Sequence, residues 1–178
     1  IDLDTRKSVL SCVCKMSSNE SHTLQAKLYD PQGNIVWNGN MQDSFEIPVE
    51  NTCLWSSEFP NLYQLELVLY DTNNEIIETI QEQVGFRKFT LEYGIMKLNG
   101  KRIVFHGINR HEWDPKTGRC LSQEQMEEDI HILKSLNINA IRTSHYPNNS
   151  YWYKLCDQYG IYVIDEMNLE THGVNDIL

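Results

Sequence analysis

The chain has 178 residues, 40% of them hydrophobic and 22% charged, with 15 Lys and Arg against 25 Asp and Glu for a formal net charge of −10. That length holds one domain with a sizeable core, or a small domain and part of another. The acidity and the lack of a clustered basic patch argue against nucleic acid, and no apolar run approaches the ~20 residues a membrane span needs.

Up to about Gly85 the chain reads as short strands separated by turn chemistry. The stretches are 8–16, 24–29, 35–37, 44–49, 63–70 and 75–84. Alternation is plainest in "YQLELVLYD", where Leu65, Leu67 and Leu69 share one face and Gln64, Glu66 and Val68 the other. Asp30-Pro31-Gln32-Gly33-Asn34 and Asp71-Thr72-Asn73-Asn74 are turns between strand pairs. This pattern predicts a β-sandwich of immunoglobulin type, with an edge strand missing from the usual seven.

The five cysteines, at 12, 14, 53, 120 and 156, form no disulfide framework. Reduced thiols and a cytoplasmic location are expected. The N-terminus lacks the layout of a signal peptide.

From Asn99 onward the rhythm changes. "KRIVFHGIN" is predicted as a short strand and "LSQEQMEEDIHILKSLN" as a helix. In that helix Ser122 and Gln125 form a capping box, and Met126, Ile130 and Leu133 an apolar stripe. "INAIRTS" is a second strand. Residues 149–159 form a second helix, with Trp152, Leu155, Cys156 and Tyr159 on one face and Gly160 as its stop. "IYVIDE" is a third strand. The order β-α-β-α-β predicts a parallel sheet. A complete (β/α)₈ barrel takes about 250 residues, so this half is a small open sheet or an incomplete barrel. The domain reading is a sandwich over 1–86 and the barrel segment over 87–178.

Ligands of parallel α/β folds sit at the carboxyl ends of the strands. Here those ends are loaded with Asn109, Arg110, His111, Glu112, Trp113 and Asp114, then Arg142, Ser144 and His145, then Asp165, Glu166, Asn168, Glu170 and His172. Any single histidine there is more often structural than catalytic, but three loaded ends in succession point to a ligand site. Arg142 is as well explained by an ion pair with Asp165 or Glu166, and Trp113 as a sugar platform or as core. Glu170 and His172, two apart in an extended segment, offer a carboxylate and an imidazole to a divalent ion, but two ligands are not a site and a third must come from elsewhere. His111-Glu112 opens like the zinc-protease helix motif, but Pro115 stands where its second histidine belongs. No GxGxxG, GxSxG or phosphate loop occurs.

The stretches "GINRHEWDP", "NAIRTSHYPNNSYWYKLCDQYGIYVIDE" and "NLETHG" closely resemble glycoside hydrolase family 2, in its β-galactosidase branch of bacterial lactose-operon type. "LWSSEFPNLYQLELVLYD" followed by "VGFRKF" is similar to the end of that family's immunoglobulin-like domain. The related β-glucuronidases share the Arg-Thr-Ser-His-Tyr-Pro and Val-Ile-Asp-Glu stretches but lack Glu-Thr-His-Gly. The resemblance implies a retaining glycosidase acting on terminal β-galactosyl residues, with Mg²⁺ in the full enzyme. It implies that Glu170 and His172 are magnesium ligands and that His111 and His145 contact the galactosyl group. Arg142 is implied to orient the nucleophile, and Asn109 belongs to the same substrate set. The family's acid/base and nucleophile glutamates match no position here. By this resemblance they lie beyond Leu178, and the family's N-terminal jelly-roll-like domain is also missing. The 178 residues alone are therefore expected to be inactive, and an open barrel edge is expected to self-associate. The alternatives are a β-glucuronidase-like member, a non-catalytic sugar-binding module, and a subunit that completes its barrel with another chain.

Overall fold

In the computed structural model, residues 1–15, 22–42 and 44–169 are described. Among them are twelve strands and two helices, in two compact units, residues 1–103 and 104–178.

The first unit opens with six strands in two sheets. Strand β1 (Ser8–Val13) pairs antiparallel with β4 (Ser44–Val49). The larger sheet has the order β3 (Ile35–Met41), β2 (Thr23–Tyr29), β5 (Tyr63–Tyr70), β6 (Ile76–Val84). One core joins the two sheets: Ala26, Leu28, Tyr63 and Leu65 from the larger, Ile47 and Val49 from the smaller, with Phe86 beside them. Register explains the selection. Leu28 lies opposite Leu65 and Ala26 opposite Leu67, so the apolar residues of both strands share one face. The six predicted strands are all present, with shifted ends. The two turns close as read, because Asp30 accepts N–H bonds from Gln32 and Asn34, and Asp71 from Asn73 and Glu75.

A meander follows that sequence reading missed. It comprises β7 (Phe89–Glu92), β8 (Ile95–Leu98) and β9 (Lys101–Arg102). Its two turns are Tyr93-Gly94 and Asn99-Gly100, all four residues at positive φ, the twist that two-residue hairpins require. The predicted continuous strand over 101–109 is thereby corrected. Its first two residues close this meander, and only β10 (Gly107–Arg110) enters the parallel sheet.

The second unit is β10, α1 (Gln123–Ser135), β11 (Ala140–Thr143), α2 (Ser150–Tyr159) and β12 (Tyr162–Ile164). All pairings in its sheet are parallel, in the order β10-β11-β12. Both halves of the capping box form on α1: Ser122 Oγ accepts the Gln125 N–H, and Gln125 Oε1 accepts the Ser122 N–H. Gly160 ends α2 in the left-handed conformation, φ 70°. Met126, Ile130 and Leu133 of α1 pack with Trp152, Leu155 and Cys156 of α2 against Ile141 and Ile161. Asn139 clips the start of the sheet. Its amide donates to Val104 O at 2.9 Å and accepts the His106 N–H at 2.8 Å.

Candidate functional site

Side chains alternate across a sheet, and in β10 and β11 this separates two rows. Asn109 lies opposite Arg142 on one face, and Arg110 opposite Thr143 on the other. The second row is structural. Arg110 is 6% exposed, and its guanidinium bonds Asp129 Oδ2 at 2.8 and 3.2 Å and Asn148 Oδ1 at 2.8 Å. It also covers the Trp152 ring. Thr143 is fully buried.

The first row makes the rim. Arg142 Nη2 stands 2.7 Å from Glu166 Oε2, and Arg142 Nη1 reaches Asn109 Oδ1 at 3.5 Å. His145 Nδ1 lies 3.2 Å from Glu166 Oε1 and 3.3 Å from Arg142 Nη2. The predicted ion pair of Arg142 is thus made with Glu166. Asp165 instead accepts hydrogen bonds from Thr143 Oγ1 at 2.9 Å and Tyr153 Oη at 2.6 Å. Burial, and then the bond to Asp165, push the Tyr153 phenol up to about 12.

His111 joins this group through its ring, which meets His145 edge-on with centroids 5.4 Å apart. His111, His145, Tyr146, Arg119 and Asn168 line a cavity of about 230 Å³. That is smaller than the ~300–1,000 Å³ pockets that take drug-sized ligands, and on the scale of one sugar ring. The four predicted substrate residues, Asn109, His111, Arg142 and His145, therefore gather at one end of the sheet.

Two groups were not singled out from sequence. Tyr146 sits inside the Arg-Thr-Ser-His-Tyr-Pro motif, and its hydroxyl donates to Glu112 O at 3.2 Å. Arg119 places its guanidinium 4.5 Å from the Tyr146 ring centroid. It reaches that position because the chain turns back between Asp114 and Gly118, whose N–H and C=O groups exchange two 2.8 Å bonds. The Asp-Pro-x-x-Gly spacing signals that turn. Asn168 is one of the residues that the sequence loads after the third strand. Two acidic residues of the loaded ends have local duties. Buried Glu112 accepts the Asn149 N–H through both oxygens, at 3.0 and 3.2 Å, where α2 begins. Asp114 holds its turn, and the backbone N–H groups of Lys116 and Thr117 lower its pKa. Trp113 is 60% exposed, which removes the core reading.

The metal candidates Glu170 and His172 lie outside the described residues. Among the described residues no group of three His, Cys, Asp or Glu could hold a metal ion, and no helix is long and apolar enough to cross a membrane.

Comparison with known proteins gives a consistent set of similarities. Residues 3–87 match the family described as glycosyl hydrolases family 2, and residues 89–178 its TIM barrel domain. A β-galactosidase of Halalkalibacterium halodurans is 52% identical over 164 residues, 89% of this chain and 16% of that protein. A β-galactosidase of Clostridium acetobutylicum is 45% identical over 175 residues, 96% of this chain and 20% of that protein. Among solved structures, Bacteroides uniformis β-glucuronidase 3 superposes with TM-score 0.85 at 27% identity, covering 93% of this chain and 21% of that one. A Ruminococcus gnavus β-glucuronidase in complex with N1-substituted uronic isofagomine gives 0.80 at 26%, covering 91% and 28%.

Proposed function

Because the chain belongs to glycosyl hydrolases family 2, we propose that it supplies the substrate-gripping rim of a retaining β-galactosidase, in which an incomplete (β/α)₈ barrel follows an immunoglobulin-like sandwich. The observation that carries this reading is the gathering of Asn109, Arg142 and His145 beside the cavity that His111 lines. Imidazole, guanidinium and amide groups held at fixed positions suit the hydroxyl oxygens of an uncharged polyol. In this reading His111 and His145 meet galactosyl hydroxyls, and Arg142 orients the attacking carboxylate. The choice of galactoside over glucuronide rests on kinship. The β-galactosidases above share 52% and 45% of residues, the β-glucuronidase structures 26–27%.

No carboxylate of the described rim suits catalysis. Retention needs two carboxyls about 5 Å apart, whereas Glu112 is bound to the start of α2 and Glu166, like Glu112, matches neither catalytic position of the family resemblance. The proposal therefore includes no turnover by these 178 residues alone. Magnesium at Glu170 and His172 is part of it as well, carried by the Glu-Thr-His-Gly resemblance and by a donor pair compatible with a divalent ion. Five cysteines in the thiol form support a reducing compartment.

The test is a titration of ¹⁵N-labelled chain with galacto-configured isofagomine and, separately, glucuronic acid. Shifts confined to His111, Arg142, His145 and their neighbours are expected with the galacto probe. A response to glucuronic acid alone moves the assignment to the glucuronidases, and a response to neither overturns the sugar site. Hydrolysis of a chromogenic galactoside by the chain above a buffer blank refutes the inactivity.

A further inference from the structure

Arg142 and His145 have side chains 38% and 41% exposed. Left to themselves, such groups sample several rotamers, and a ligand that needs one arrangement must order them. The structure shows what holds them. One carboxylate, Glu166, faces both, at 2.7 Å from Arg142 Nη2 and 3.2 Å from His145 Nδ1.

The carboxylate also selects between the two forms of the imidazole. Guanidinium nitrogens only donate, and an ionised carboxylate only accepts. A contact of 3.2 Å between Nδ1 and Glu166 Oε1 is attractive only when Nδ1 carries the proton. Arg142 Nη2 then donates to the same carboxylate instead of to the ring.

Glu166 is itself anchored from behind the sheet. Its N–H donates to Thr143 Oγ1 at 2.8 Å. The Thr143 hydroxyl has one proton to give, and it goes to Asp165 Oδ1 at 2.9 Å, where Tyr153 Oη also donates at 2.6 Å. Tyr153 Oη accepts the Asn148 N–H at 2.8 Å, and the Asn148 side chain accepts from buried Arg110. The structural row of the sheet is thus linked to the rim row through the Thr143 hydroxyl and the Glu166 backbone.

We propose that Thr143 and Glu166 are positioning residues of the sugar-binding rim: Thr143 fixes Glu166, and Glu166 fixes both the guanidinium of Arg142 and the tautomer and orientation of His145. This rests on the functional reading above, and the test separates the two.

The experiment uses the full chain, ¹⁵N-labelled at histidine, as wild type, E166Q, T143V and T143S. His145 ring-nitrogen shifts are recorded at about pH 8, above the ordinary imidazole range, and each protein is titrated with galacto-configured isofagomine. The Nδ1-protonated form is expected to dominate in the wild type. E166Q and T143V are expected to move the ring toward a tautomer mixture and to weaken the probe about tenfold. T143S restores the hydroxyl and both readouts. Ring shifts or affinity unchanged in both variants overturn the proposal. Should E166Q fail to fold, the T143V and T143S pair decides alone, because the two share a small buried site and differ in the hydroxyl. Should the wild type bind no probe, the functional reading falls, while the ring shifts still decide the positioning.

Discussion

The guanidinium of Arg110 lies over the indole of Trp152, 3.7 Å from the ring centroid, and it closes the space between the end of β10 and the two helices. Stacking, the Asp129 pair and the Asn148 bond all depend on a planar fork that lysine does not have. Arg110→Ala leaves a buried amide and a cavity over the ring. It should lower stability by about 1–3 kcal/mol, from the lost packing on Trp152 and the unpaired Asn148 amide, since the Asp129 carboxylate is 43% exposed and stays solvated. Arg110→Lys should recover less than half of that. Urea unfolding followed by Trp fluorescence measures both.

Asn139 bonds Val104 and His106 through both ends of its amide. Asn139→Asp replaces the donor with an oxygen that faces the Val104 carbonyl. The loss should be about 1–3 kcal/mol, with faster amide exchange at His106 and Gly107. Asn139→Ala should cost less, because it leaves no opposed oxygens. Hydrogen exchange read residue by residue distinguishes the two variants.

Alkaline pH should weaken the second unit. Burial pushes the Cys156 thiol up to about 12 from 9.0, and Tyr153 rises to about 12 from 10.0. Both folded values lie above the unfolded ones. The stability is therefore fully present below about pH 9 and is lost as pH rises from there toward about 12, where only the unfolded chain has shed its protons. Cys156 dominates because it is 1% exposed, whereas the half-buried Tyr153 is partly screened by solvent. Denaturation midpoints from about pH 8 to about pH 11 should fall steadily, and Cys156→Ala should flatten the decline.

The same burial sets thiol reactivity. Cys120 is exposed and Cys156 is not. A maleimide near neutral pH should label Cys120 first in the native chain, with Cys156 labelled only on unfolding. Mass spectrometry of peptides over a time course reads the order, and early labelling of Cys156 contradicts the helix packing.

Much of the second unit was legible because its signals are local. Ser122 with Gln125, the Met126–Ile130–Leu133 stripe, and Asn149 with Gly160 at the ends of α2 each fix an element within a few residues. The first six strands of the chain were legible for the same reason. The meander at 89–102 was missed although Asn99-Gly100 is a strong two-residue hairpin signal, because Ile103, Val104 and Phe105 read as the apolar middle of one strand. At the site, Asn109, His111, Arg142 and His145 were readable from their place near strand ends. The Arg142–Glu166 pair was one of two partners weighed, but the bond from the Glu166 N–H to Thr143 and the place of Arg119 were not readable. Each depends on a partner far along the chain, Glu166 on Thr143 and Arg119 on Tyr146, and no local spacing encodes such a meeting.

The alternation in β10 and β11 has a consequence for altering this protein. Residue parity there puts the rim groups on one face and the supporting ones on the other, and a point change leaves that division intact. Deleting one residue between Gly107 and Arg110, or between Ala140 and Thr143, is a different kind of change. It would turn Arg110 or Thr143 toward the rim and press Asn109 or Arg142 among the helices, inverting the sheet's two jobs at a stroke.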